Sequence, residues 1–352
     1  MTIDAKITVT LGASVFAYYL YSVWTTLGKM ATTTGSSGGG QYEPSVVDVI
    51  VVKAMLTKAL SFPPEIIDRI VDLAEYWPHT TTELNSTTVI ARGNNQFHRP
   101  SDKSLENMFL LRSTPLGLHN WKRVSSAAND IPIERTPLKP QPPGEEFSAD
   151  DFQQLIASPV SILAQPCRRI VFTIRSRDQG FSGVREDHGT YNGSWTWFEV
   201  GLERWCKTSP AQTSSPEQPE RTEQQSPQPS LKLDDLCTVI PEVGWEGEVQ
   251  NAYIFKHNLH PSEDLKVQCN VTAEKEVVEH RVVWSHTDDV DPERDVEAAT
   301  KLTRQGRGKA TGNGKFVRDL KLGDVVTLWS KARFPSWANF VESAKIDVYY
   351  AI

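Results

Sequence analysis

From Cys167 onward the chain alternates apolar and polar positions in short runs separated by Gly, Asp and Asn, the period of half-buried strands. In Arg169–Ser176, Ile170, Phe172 and Ile174 fall on one face, with Val171, Thr173 and Arg175 on the other. In Ser194–Val200, Trp195, Trp197 and Glu199 alternate with Thr196 and Phe198. Strand-like runs follow at Val249–Leu259, Val277–Ser285, Lys315–Leu320, Val325–Arg333 and Ala344–Ala351. With about seven short strands and no long helix between them, this half predicts a mainly β fold. The expected form is an antiparallel β-sandwich, jelly-roll or galactose-binding-like, over residues 151–352.

The first half has other periods. Residues 7–28 carry no formal charge over 22 positions, close to the length of a membrane-spanning helix, so residues 1–30 are a candidate single-pass anchor. Tyr18, Tyr19, Tyr21 and Trp24 suit an interfacial belt, and Lys29 favours leaving the downstream domain in the cytoplasm. A dispensable extension ahead of Met30 is the competing reading. Residues 31–43 (ATTTGSSGGG at their start) read as a flexible linker. Residues 44–80 form a helical segment: SVVDVIVVKAMLTKAL, then SFPPEIIDRIVDLAEYWPH, where Pro64 suits a first turn and Pro78 forces a stop. Residues 81–150, with six prolines in Ser113–Asp150, read as an irregular Pro-rich connection. Lys207–Ser230 has five Pro, five Ser and five Gln in 24 residues, and is expected to be a disordered insertion within the β domain.

The run Phe62-Pro63-Pro64-Glu65-Ile66-Ile67-Asp68-Arg69-Ile70 resembles the opening of an F-box. An F-box starts Leu-Pro-x-Glu-Leu-Leu, and its first helix docks on the Skp1-type adaptor of cullin-type ubiquitin ligases. The resemblance covers about 16 residues and implies partner contacts through Pro64, Glu65, Ile66, Ile67 and Ile70. Thr80–Thr88 is polar where an F-box continues into Leu-rich helices. The opening and the C-terminal motifs together resemble a group of uncharacterised fungal proteins, a likeness that implies no activity. The alternative for the apolar stripe is packing against the preceding helix or the β domain.

Composition narrows the functional classes. A net charge of −7 argues against a protein that binds nucleic acid through overall charge. Cys167, Cys206, Cys237 and Cys269 contain no CxxC pair, so neither a zinc knuckle nor a dense disulfide framework is expected, and no cofactor is implied. His286-Thr287-Asp288 lacks the downstream histidine of an iron site. His257 and His260 have helical spacing at what reads as a strand end, a poor metal pair. Gly306–Lys315 lacks Walker spacing, and no GxSxG elbow occurs. Asp288, Asp289, Asp291, Glu293, Asp295 and Glu297 precede Lys301, Arg304, Arg307, Lys309, Lys315 and Arg318, opposite blocks expected to neutralise each other. The alternative is an anionic partner on the basic arm.

Loops at the rim of a sandwich are free to meet ligands because the core does not need their side chains. Asp178, Gln179, Trp195, Arg333, Trp337 and Asn339 are the candidate ligand-binding residues, polar groups for hydroxyls and indoles for apolar sugar or peptide faces. The expected function is non-enzymatic: a binding or adaptor protein, read as an F-box-like substrate receptor with a protein or carbohydrate ligand at the rim. The alternative is a membrane-anchored, lectin-like or protein-interaction sandwich without a ubiquitin role. A hydrolytic enzyme would need a conspicuous acid–base pair in one pocket. Asn85, Asn192 and Asn270 head Asn-x-Ser/Thr sites that matter only in a luminal domain.

Overall fold

The structure is a computed structural model that describes residues 42–93, 105–118, 137–148, 150, 163–207, 235–245 and 253–352. The candidate anchor, nearly all of the linker, and the insertion beyond Lys207 lie outside the described residues. Among the described residues no helix is long and apolar enough to cross a membrane. Residues 44–352 form one compact unit.

The unit opens with two helices. Helix α1 (Val46–Leu60) starts at a capping box: the Asp48 amide donates to Ser45 Oγ at 3.2 Å, and the Ser45 amide to Asp48 Oδ2 at 2.9 Å. It stops at Ser61, which takes a left-handed conformation. Helix α2 (Pro64–Leu73) follows, its first residue supplying the fixed φ of a helix start. Val46 and Val49 of α1, and Ile67 and Val71 of α2, are buried. A 2.7 Å Lys53–Asp68 ion pair joins the helices. Asp72 accepts from Trp77 Nε1 at 2.8 Å and from Arg168 Nε at 3.0 Å, which ties α2 to the body.

Among the described residues twelve strands follow: β1 (His79–Arg92), β2 (Asn107–Arg112), β3 (Glu145–Glu146), β4 (Cys167–Arg177), β5 (Thr196–Lys207), β6 (Leu236–Ile240), β7 (Glu242–Trp245), β8 (Tyr253–Lys256), β9 (Lys266–Cys269), β10 (Val278–Ser285), β11 (Val325–Ala332) and β12 (Ala338–Tyr350). The first sheet has the order β1-β12-β4-β10, all antiparallel. The second runs β2-β11-β5-β3, with β6 and β9 also paired to β5; β7 and β8 make a separate hairpin. The mainly β, antiparallel architecture thus stands, and it fits a β-sandwich. Ile170, Phe172 and Ile174 of β4 meet Ile346 and Val348 of β12 in one core with Phe198, Val200 and Leu202 of β5 and Val326 and Leu328 of β11. At about 25 cal/mol per Å² of apolar area removed from water, this shared core is the main stabilising contribution.

Three segments differ from the sequence reading. Residues 81–150 are not merely a connection: they contain most of β1, the edge strand beside β12, and β2, the edge strand beside β11. The polar Thr80–Thr82 stretch pairs in the sheet because backbone ladders accept any β-tolerant side chain. Lys315–Leu320, expected as a strand, is largely the short helix α4 (Lys315–Asp319), launched from Gly314 at φ 67°; a Cβ there would lie 2.4 Å from the Asp288 carbonyl oxygen. Helix α3 (Val296–Arg304) was not expected; Asp295 caps it by accepting from the Ala298 amide at 3.1 Å.

Candidate functional site

The rim loops converge at one end of the sandwich. Gln179 Oε1 accepts from the Ala338 amide at 3.2 Å, the Arg333 amide donates to the Trp195 carbonyl at 3.0 Å, and Trp195 meets Phe334 edge to face at 4.5 Å. Most polar atoms of the six candidate residues are nevertheless engaged within the fold. Asp178 is buried and accepts from the Gly180 and Ala273 amides, each at 2.7 Å; burial raises its carboxyl above the ordinary range despite these bonds. Gln179 Nε2 donates to the Phe181 carbonyl at 2.6 Å. Arg333 donates to the Glu106 and Asn258 carbonyls and lies 5.1 Å above Trp197. Asn339 is buried; its Oδ1 accepts from Asn270 Nδ2 at 2.9 Å, and Asn270 Oδ1 accepts from Ser176 Oγ. That network bridges strands of both sheets and gives Asn270 a structural role, leaving its side chain no room to carry a glycan. Trp195 and Trp337 are half-buried, and Phe334 is exposed.

The helical candidates divide by face. Ile67 is buried against the body, Ile70 is half-buried, and Pro64, Glu65 and Ile66 are exposed. After α2 the chain passes through Trp77-Pro78 directly into β1, whereas an F-box would continue into further helices.

A different cluster stands out on the second sheet, on the face turned away from the shared core. Its strands alternate as the pleat requires: Phe198, Val200 and Leu202 face inward, so Trp197, Glu199, Gly201, Glu203 and Trp205 face the other way. Yet Trp197, Glu203 and Trp205 are buried too, as are Thr327, Trp329 and Lys331 on β11. Phe255 and His257 cover Trp329, with ring centroids at 5.2 and 5.0 Å. Gly201 permits this layer, since a Cβ there would lie 2.3 Å from Thr327 Oγ1 and 3.0 Å from Trp329 Nε1. Two ion pairs are sealed in it. Arg112 holds Glu203 with two bonds of 2.8 Å, and Lys331 Nζ lies 3.3 Å from Glu199 Oε2.

The Glu199–Lys331 pair borders a cavity of about 320 Å³. The cavity opens where β9, paired to residues 197–199, and β6, paired to residues 202–205, diverge along the edge of β5. Val200, Ile240, Pro241, Leu265 and Trp329 supply apolar walls; Glu199, His257, Ser262 and Lys331 supply the polar groups. Glu199 is fixed independently of the lysine, because its Oε1 accepts from Trp197 Nε1 at 2.9 Å and from the Ser262 amide at 3.0 Å. Lys331 Nζ donates to His257 Nδ1, which makes the ring neutral and an acceptor. Burial holds His257 down at about 2, with Lys331 and Arg333 adding repulsion. Burial also lowers the Lys331 ammonium to about 8; Arg333 assists and Glu199 opposes.

This carboxylate–amine–imidazole cluster escaped the sequence reading. Glu199 was placed on a strand face, and His257 was weighed only with His260, which instead sits 5.6 Å from the Trp195 ring. The usable signal was a set of charges inside apolar strands, Glu199 and Glu203 in one and Lys331 in another. The register that brings Trp329 opposite Glu199, and Lys331 opposite Trp197, is not written locally. Among the described residues no group of three or more His, Cys, Asp or Glu is arranged to hold a metal. The four cysteines are buried free thiols. No protein family, curated protein or solved structure matches this chain.

Proposed function

We propose that the chain is a binding and adaptor protein, in which a helical hairpin docks a partner protein and the β-sandwich behind it presents a ligand site. The observation that carries this reading is the outward face of the hairpin. Val47, Ile50, Val51 and Met55 of α1, with Ile66 and Leu73 of α2, are 45–71% exposed, while Val49 and Ile67 on the opposite faces are 1% exposed. Exposed apolar side chains at helical spacing are what a protein interface consumes. The occupant proposed is a Skp1-type adaptor of a ubiquitin ligase, on the strength of the Pro64–Ile70 resemblance, and the reading carries with it a cytoplasmic address. The docking face then consists of α2 and the helix before it, in place of the helices that follow in an F-box.

Binding of a purified Skp1-type adaptor to the full chain tests this directly. Ile66→Asp with Ile50→Asp should abolish the interaction without altering the folded state, as read by circular dichroism. No measurable affinity for the unsubstituted chain removes the ubiquitin reading. A second reading, a lectin-like or protein-interaction sandwich with no ubiquitin role, is favoured by the aromatic rim, where exposed Phe334 packs on half-buried Trp195. Its ligand would meet that rim, and a glycan and peptide array in which Trp195→Ala and Phe334→Ala lose signal would select it. Membrane attachment through residues 7–28 belongs to this second reading and is tested by fractionating the full chain.

A further inference from the structure

We propose that Lys331 is a carbonyl-capturing amine: a small aldehyde or ketone with an apolar body enters the cavity beside it and condenses with Nζ to an imine. This goes beyond the adaptor reading and does not rest on it.

Three features point there. The Lys331 side chain is 2% exposed to solvent, yet the residue lines a cavity of about 320 Å³ together with its partners Glu199 and His257. Its hydrogen-bonding and ionic partners are Glu199 Oε2 and His257 Nδ1, with the Trp329 ring 5.9 Å away, which leaves one of the three donor positions of the ammonium without an oxygen or nitrogen acceptor. Glu199 is already anchored by the Trp197 indole and the Ser262 amide, so the amine can change charge without releasing the carboxylate. The walls formed by Val200, Val239, Ile240, Pro241, Leu265 and Trp329 suit a hydrocarbon or aromatic body and disfavour the water that hydrolyses imines.

The charged groups facing the amine come from four elements. Glu199 on β5 favours the ammonium; Arg333, just after β11, disfavours it; neutral His257, just after β8, accepts a hydrogen bond from it; Glu242 of β7 and Lys256 of β8, paired at 2.9 Å, line the cavity and largely cancel. With the amine held at about 8, roughly a fifth is neutral at pH 7.4, against about a thousandth of an ordinary lysine. The neutral nitrogen attacks the carbonyl carbon, forming the C–N bond while the carbonyl oxygen takes a proton. The carbinolamine then loses that oxygen as water, whose two hydrogens both come from the amine nitrogen, carried across by the Glu199 carboxylate. An aldehyde and an amine thus give an imine and one water, with no oxidant or reductant.

The test is reductive trapping on the native full chain: propanal with cyanoborohydride from pH 6.5 to 9.5, followed by peptide mapping. Lys331 should be propylated at least roughly tenfold faster at pH 7.4 than exposed Lys256, Lys301 and Lys309, with a midpoint near pH 8. Glu199→Gln should move that midpoint to lower pH, because it removes the group that favours the ammonium. Lys331 left unmodified while exposed lysines react, or modified with the same pH profile as theirs, overturns the proposal.

Discussion

The hairpin and the outward layer of the second sheet invert the usual partition in opposite senses. On α1 and α2, Val47, Ile50, Met55 and Leu73 face solvent. On β5 and β11, Glu199, Glu203 and Lys331 lie inside, and Arg112 of β2 joins them. Exposed apolar residues forgo a hydrophobic gain that a partner restores, whereas buried charges cost desolvation that only their pairing offsets. The first arrangement is the face proposed to dock a partner; the second surrounds the cavity proposed to capture a carbonyl. The rim, by contrast, follows ordinary rules, since Asp178 and Asn339 are buried with their polar atoms satisfied.

The sharpest way to break the comparison is at the paired charges. Arg112→Met leaves the Glu203 carboxylate buried without its bidentate partner and should cost about 3–5 kcal/mol in denaturant unfolding, whereas Arg112→Met with Glu203→Leu should recover most of that loss. A loss under about 1 kcal/mol for the single variant would mean that this layer is wet. Next comes the hairpin itself: Ile67→Ala should cost about 2–4 kcal/mol, and Ile66→Ala, one residue away on the open face, less than about 0.5 kcal/mol. Equal losses would show that the outward face is covered.

Acid should separate the regions by a similar or smaller amount. Burial depresses His280 to about 4, so its neutral form is preferred in the folded state. Such a group contributes stability that is complete above its unfolded value near 6.5 and is lost as pH falls towards 4, on the order of 3 kcal/mol. His257, held lower still, acts in the same sense. Urea midpoints measured between pH 7 and 4 should therefore fall, and His280→Leu should flatten the decline; an unchanged slope would remove His280 as its cause. Among the buried positions the smallest loss is expected at the rim network, where Asn270→Ala should cost about 1–3 kcal/mol through unsatisfied polar groups, with no change in adaptor binding.

What was legible in the chain follows from where alternation survives. Ile170, Phe172 and Ile174 are buried as their period requires, and β10 and β11 fall where read, within a residue. The reading of β5 stopped at Val200, ahead of Gly201, a residue that weakens a strand by itself, but the strand continues to Lys207 because both of its faces are buried in the fold. β1 was missed for the opposite reason, being polar enough to pass for a loop while its neighbour β12 supplies the ladder. The opposed charge blocks were expected to neutralise each other. Among the described residues the close ion pairs there are internal to each segment, Arg294 with Asp291 at 3.5 Å and Lys315 with Asp319; across the blocks Asp288 attracts half-buried Arg307, and Arg318 donates to the His286 and Asp288 carbonyls. The cavity cluster was beyond reach because it depends on which strands become neighbours.

Strand β5 leaves the sheet and β6 rejoins it alongside, Arg204 standing opposite Cys237. The ends of β5 and β6 are thus adjacent points of the fold, and a flexible insert joining such points costs only about 0.6 kcal/mol of closure entropy for each doubling of its length. A fluorescent reporter or an affinity tag spliced in at this seam would leave the ladder, the hairpin and the cavity where they are.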